Sequence, residues 1–334
     1  MDLRIIWFSI IAFLFTGFFF LEGIDFGVGV LINLLGKNNT ERRIIINTIG
    51  PFWDGNEVWL VTAGASIFAA FPQWYATMFS CFYLALLIIL VALILRGIYF
   101  EFRSKKEGKV WKRNWDIIMF ISNLLLSILW GTALANLIKG VPIDKSMNYT
   151  GGFFDLISLY TLFAGLTTLI VFAYNGSIYL SFRTTGIVEK RSKKTAKKLA
   201  PFSAIAVLVL ITLTFMQTDL YNSRLALISS LISFILVFLS WYLVIKEKSF
   251  VAMLVNGLTI ALGVASLFLG LFPRVIVSSI KPEYALTIYN ASSGPYSLSI
   301  MTKVAITFLP IVIAYQTWSY WVFRKKVSTD DLEY

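Results

Sequence analysis

Residues 5–35 read IIWFSIIAFLFTGFFFLEGIDFGVGVLINLL, an apolar run whose only charges are Glu22 and Asp25. About 20 apolar residues suffice for a helix to cross a bilayer, so this run spells a transmembrane helix with two carboxyl groups inside it. It is too long for a cleaved leader, and it passes into Asn33-Leu34-Leu35-Gly36 rather than a small-residue cleavage site. Further runs at 52–70, 74–99, 117–138, 156–181, 200–218, 225–245, 251–272 and 298–322 have the same character. The expected fold class is all-α integral membrane. A single polytopic domain over residues 1–334 would hold nine transmembrane helices, as two four-helix bundles plus one further helix. Short connections at 71–73 and 219–224 make the helices they join antiparallel neighbours.

Composition supports a membrane chain. Hydrophobic residues make up 58% and charged residues 14%, with a mean hydropathy of +0.77, whereas soluble domains carry roughly a quarter charged residues. The formal net charge is +11, but the basic residues lie in loops between apolar runs. That placement suits anionic lipid head groups rather than nucleic acid. With nine spans, Arg4, Lys139, Lys145, Arg224, Arg274 and Lys281 fall on one side. The loops at 36–51, 96–116, 182–199 and 246–250 and the C-terminus put 22 basic residues on the other. The excess marks the cytoplasmic face, so the N-terminus is expected outside and the C-terminus inside.

The chain contains no histidine and one cysteine, Cys81, within an apolar run. Haem iron, copper and catalytic zinc are usually held by imidazole, so no haem or metal ligand is expected here. Cys81 reads as a small buried hydrophobe. There is no G-x-x-x-x-G-K-[ST] loop for an ATP-driven engine, and no Ser/His pair.

Acidic residues within spans are costly and therefore mark function. Glu22 and Asp25, like Asp54 and Glu57, are three residues apart and share a helix face. Glu101 closes the third run just before Arg103-Ser104-Lys105. With this orientation Asp25, Asp54 and Glu101 stand at related depths on the cytoplasmic side, as a proton relay opening inward would require. As alternatives, Asp54 and Glu101 could be interfacial, or paired with Arg96 or Arg103. Gly23, Gly27 and Gly29 offer close helix packing or a local break near Asp25. Pro51 fits a helix start before Trp53-Asp54-Gly55-Asn56, where backbone N–H groups favour an acidic residue. The many aromatics read mainly as interface belts and lipid-facing surface.

Glu22-Gly23-Ile24-Asp25-Phe26-Gly27-Val28-Gly29 resembles the first-helix signature of subunit II of the cytochrome bd quinol oxidases. In order follow Asn38-Asn39-Thr40-Glu41-Arg42-Arg43 and Pro51-Phe52-Trp53-Asp54-Gly55-Asn56-Glu57-Val58-Trp59-Leu60. Phe102-Arg103-Ser104-Lys105, Asn136-Leu137-Ile138-Lys139-Gly140-Val141-Pro142 and Asn290-Ala291-Ser292-Ser293 complete the set. The resemblance covers essentially the whole chain. It implies a respiratory terminal oxidase of a bacterial or archaeal cell membrane that oxidises quinol and reduces dioxygen to water. It also implies a partner subunit I with two b-type haems, one d-type haem and the quinol-oxidising loop, and it allows a small single-helix accessory subunit, lipid and bound quinone.

The family's cytoplasmic proton route carries over to Asp25, Asp54, Glu101 and the Ser104 hydroxyl. Glu22, Glu57, Trp53 and Asn56 rank second. Family members often have Asp at the position of Glu101, and some have Gln at that of Glu57. Among these residues Asp54 is expected to be the most sensitive. Two other classes compete. A proton-coupled secondary transporter would usually show paired broken helices in corresponding halves, whereas here the acids crowd into the first three spans. A purely structural scaffold subunit would make the acids dispensable.

Overall fold

The computed structural model describes residues 2–329, 331 and 332. Among them the chain forms α1 (Leu3–Leu35), α2 (Asn39–Asn47), α3 (Trp53–Ala70), α4 (Pro72–Cys81), α5 (Tyr83–Phe102) and α6 (Lys109–Lys139). It continues with α7 (Leu159–Arg183), α8 (Gly186–Gln217), α9 (Arg224–Ile245), α10 (Ser249–Leu271) and α11 (Pro295–Val322). Eight of these, α1, α5, α6, α7, α8, α9, α10 and α11, are long and apolar enough to cross a membrane. The protein is thus a predominantly helical, multi-pass membrane protein. The second expected span forms as α3, but its 18 residues begin with Asp54, Asn56 and Glu57, and it is not among the eight.

The apolar run 74–99 departs from the expected continuous helix. Phe82 leaves the helical region (φ −96°, ψ 18°), so the run divides into α4 and α5. Bonds from Phe82 N–H to the Met78 carbonyl (2.9 Å) and from Leu86 N–H to the Phe82 carbonyl (2.7 Å) bridge the break. The basic connections are also more ordered than loops. The segment 36–51 contains α2, whose N-cap Asn38 accepts the Glu41 N–H at 2.8 Å. Most of 182–199 is the first half of α8. The stretch 273–297 carries the antiparallel pair β1 (Arg274–Ile276) and β2 (Leu286–Thr287). Ser293 then ties this segment to the end of α3, donating its N–H to Ala70 O (2.8 Å) and its hydroxyl to Ala69 O (2.6 Å).

Helix α1 lies at the centre, packed against α3, α6, α7 and α10. It is unbroken through its glycines, which settles their role as close packing. A Cβ on Gly27 would stand 2.7 Å from the Phe172 carbonyl carbon and 2.9 Å from the Gly176 nitrogen, so only glycine lets α1 and α7 cross here. Around this crossing Phe18, Phe19, Phe26, Phe172 and Trp130 are buried and meet largely edge to face or tilted. A large share of the aromatics therefore fills the protein interior rather than an interface belt. Cys81 is buried and free.

Candidate functional site

One guanidinium gathers the acidic residues of the first helices. Arg96 on α5 is fully buried, at 0% exposure. Its Nη1 lies 2.6 Å from Glu22 Oε2 on α1 and 3.0 Å from Glu57 Oε1 on α3. Its Nη2 lies 3.3 Å from Asp25 Oδ2, and the Phe26 ring covers the guanidinium with its centroid 5.0 Å from Cζ. The one-turn spacing of Glu22 and Asp25 is what allows both to reach the same arginine.

A second layer fixes Asp25. Asn56 Nδ2 donates to Asp25 Oδ2 at 2.9 Å. Asn56 Oδ1 accepts from Gln316 Nε2 at 2.8 Å and from the Tyr320 hydroxyl at 3.1 Å. The Tyr320 ring stacks on Phe52 at 4.2 Å. Helix α11, which touches the bundle lightly elsewhere, is thereby tied to the site. Two polar atoms at the centre, Glu22 Oε1 and Arg96 Nε, are buried without a hydrogen-bond partner among the described residues.

The other expected residues lie outside this cluster. Asp54 is exposed in the first turn of α3 and makes none of the ion pairs of its neighbour Glu57. Residues three apart on a helix differ by roughly 60° in direction, enough here to send Glu57 inward and Asp54 outward. Trp53 stacks on Phe100 (4.8 Å, 6° between planes), seating the start of α3 on the end of α5. Pro51 precedes the helix by two residues, with Phe52 between. Glu101 and Ser104 are exposed. Ser104 opens on a polar cavity of about 290 Å³ that Arg43, Asn47, Tyr99 and Arg103 also line.

Neither Arg96 nor Arg103 pairs with Asp54 or Glu101. Arg103 instead grips Asp116 of α6 through Nε (2.6 Å) and Nη2 (3.1 Å). Arg42 Nη1 (2.8 Å) and the Tyr99 hydroxyl (3.2 Å) complete the shell of that carboxylate. Asp116 is 1% exposed, and it locks α2, α5 and α6 together at one end of the bundle. Nearby, Glu41 accepts from the Lys37 N–H (2.7 Å) and Arg191 (2.5 Å). Burial works to raise the Glu41 carboxyl, but these bonds outweigh it and hold the group below its ordinary value.

Asp116, Gln316 and Tyr320 were missed in the sequence, and Arg96 was read as a loop cation or a partner of Asp54 or Glu101 rather than of Glu22, Asp25 and Glu57. The available signal was Arg96 itself, a cation at the end of the apolar run Leu84–Leu95 that counts equally well as a loop residue. No group of three or more His, Cys, Asp or Glu among the described residues is placed to hold a metal ion. A haem does not fit this chain either, since it has no imidazole and its lone thiol is buried.

Fold and site together define a multi-pass helical membrane protein built around a buried ion cluster. The family model described as cytochrome bd terminal oxidase subunit II matches residues 3–323. The chain belongs to that family. It is 44% identical over 329 residues to the cytochrome bd ubiquinol oxidase subunit 2 of Bacillus subtilis strain 168, covering 98% of this chain and 97% of the relative. The cytochrome bd-I ubiquinol oxidase subunit 2 of Escherichia coli K12 is 32% identical over 366 residues, with 99% and 97% covered. A chain of the bd oxidase from Geobacillus thermodenitrificans superposes with a TM-score of 0.78 at 18% identity, covering 97% of this chain and all of that one, a likeness of fold.

Proposed function

We propose that this chain is the subunit of a quinol:dioxygen oxidoreductase that ligates no haem, and that it conducts protons from the cytoplasm toward a haem-bearing subunit I. Two b-type haems, one d-type haem and the quinol site belong on that partner, which has the imidazoles this chain lacks. Helix α3 serves as a ninth span, and α4 with α5 forms one interrupted span. The termini then lie on opposite sides, with the C-terminus cytoplasmic. Helix α11, with 6% of its apolar window buried, leaves the broadest uncovered face beside the site for subunit I.

The observation that carries this reading is a gradient of carboxyl burial around one cation. Asp54 is exposed, the Glu57 side chain is 20% exposed, Asp25 1% and Glu22 0%. Three carboxylates on one guanidinium leave a net negative charge that a buried site does not sustain. A proton carried inward would offset part of that charge, and the unpartnered Glu22 Oε1 is one place for it. Reduction of dioxygen to water consumes one proton per electron. Asp54 and Glu101 collect protons at the surface, Glu57 passes them inward, and Asp25 and Glu22 hold them.

Asp54→Asn keeps size and hydrogen bonding but loses the titratable proton. The variant should assemble with normal haem content and lose quinol-oxidase turnover several-fold, while Asp54→Glu retains part of it. Haem-normalised turnover equal to wild type would remove Asp54 from the route. Loss of haem in step with activity would make it structural.

Orientation has its own test. A cysteine replacing the exposed Lys194, in a Cys81→Ser background, should resist an impermeant thiol reagent added to intact cells. It should react once the membrane is opened. Rapid labelling from outside would reverse the topology.

A further inference from the structure

The cytoplasmic half of α8 sorts its basic residues by partner. On the two flanks of its outward face each meets a carboxylate. Arg191 reaches Glu41, and Lys193 sits 3.0 Å from Glu189 and 3.4 Å from Glu247. Lys197 sits 3.0 Å from Glu247. Hydrogen bonds from Lys197 and Lys193 hold the Glu247 carboxyl below its ordinary value. Lys190, Lys194 and Lys198 lie on successive turns of one face, are exposed, and meet no carboxylate among the described residues.

That face continues into the apolar part of the same helix. Spacings of three and four carry the line from Lys198 past Pro201 to Ile205 (60% exposed) and Leu208 (46% exposed), both open to lipid. The level of the head groups is marked independently by the neighbouring α9–α10 turn. There Lys246 Nζ lies 5.7 Å from the ring of the exposed Tyr242, and Phe250 is 55% exposed. Lys197 bonds Glu247 in that same turn, so its neighbours Lys194 and Lys198 stand at the same height. A line of lysines at this height, continuous with a lipid-facing apolar stripe, is complementary to the acyl chain and phosphate of one anionic lipid.

We infer that Lys190, Lys194 and Lys198 form a binding site for an anionic phospholipid of the cytoplasmic leaflet. Lys198 and Lys194 take the phosphate, Lys190 adds a longer-range attraction, and Ile205 and Leu208 pack on the chain. Acidic proteins are the competing ligand class. The exposed apolar continuation favours lipid, since a soluble acidic partner gains nothing from Ile205 and Leu208.

Purified oxidase complex can be titrated with phosphatidylglycerol in detergent and followed by native mass spectrometry. Lys190→Gln/Lys194→Gln/Lys198→Gln should weaken binding by roughly fivefold per lysine at low salt. The corresponding triple Arg variant should bind as wild type, as should Lys193→Gln/Lys197→Gln, which alters a carboxylate-paired flank. Phosphatidylcholine should bind all forms equally, and inorganic phosphate should not displace the lipid. Haem content controls for assembly. Unchanged phosphatidylglycerol affinity in the triple Gln variant would overturn the inference. So would an equal loss in the Lys193/Lys197 variant, full competition by phosphate, or loss of a co-purifying acidic protein with lipid retained.

Discussion

Arg96→Met should abolish recovery of an assembled, haem-containing complex. The substitution keeps an unbranched apolar stem but withdraws the cation that three carboxyl groups share. Removing one partner of a buried ion pair costs about 3–5 kcal/mol, a large fraction of the 5–15 kcal/mol that stabilises a typical fold. The carboxyls could escape only by protonation, and Glu22 and Asp25 would then need new hydrogen-bond partners inside a core closed by Phe26 and Phe172. Arg96→Lys should be intermediate, because one ammonium nitrogen cannot reproduce a fork in which Nη1 serves Glu22 and Glu57 while Nη2 serves Asp25. Adding Glu22→Gln to Arg96→Met should restore part of the yield by removing one orphaned charge. The measurement is complex recovered per cell, with the haem spectrum as readout. Normal recovery of Arg96→Met would show that the cluster does not hold α1, α3 and α5 together.

Asp25→Asn should have the opposite signature, with normal assembly and turnover lowered by about a hundredfold. The amide is nearly isosteric with the carboxyl and still takes one Arg96 hydrogen bond, so packing and most of the electrostatics survive. With its oxygen in the place of Asp25 Oδ2, the amide accepts from both Asn56 Nδ2 and Arg96 Nη2. The exchangeable proton is lost, and removing a positioned proton-transfer group typically costs a factor of 10²–10⁴. Asp25→Glu should recover part of the rate if the longer side chain still reaches Arg96. A parallel fall in haem content and turnover would mean that Asp25 is an anchor alone.

The apolar runs of the sequence map onto helices because a bilayer demands length and hydropathy that are read locally. The one-turn spacing of Glu22 and Asp25 was equally legible, since it depends on a single helix. What escaped reading depends on how helices meet. The inward turn of Arg96 is set by the rotation of α5 against α1, and nothing in its flanking residues separates it from the loop arginines. The parting of Asp54 from Glu57 follows from where α3 presses on the bundle. Asp116, at the foot of a long helix among lysines, looks in sequence like ordinary surface charge. Arg42 and Arg103 reach it across 74 and 13 residues. The break at Phe82 has no proline or glycine to announce it.

The carboxyl cluster around Arg96 is proposed to move protons into the oxidase from the cytoplasm. The most direct test is proton uptake in one reaction with oxygen. Fully reduced complex is mixed with dioxygen in weakly buffered solution containing a pH-indicator dye, with haem absorbance followed in parallel. In wild type the dye should report alkalinisation on the timescale of oxygen reduction. In Asp25→Asn, at equal haem content, uptake should slow by about a hundredfold, and the change in haem absorbance should slow with it. Uptake at the wild-type rate in that variant would exclude Asp25 from the proton route.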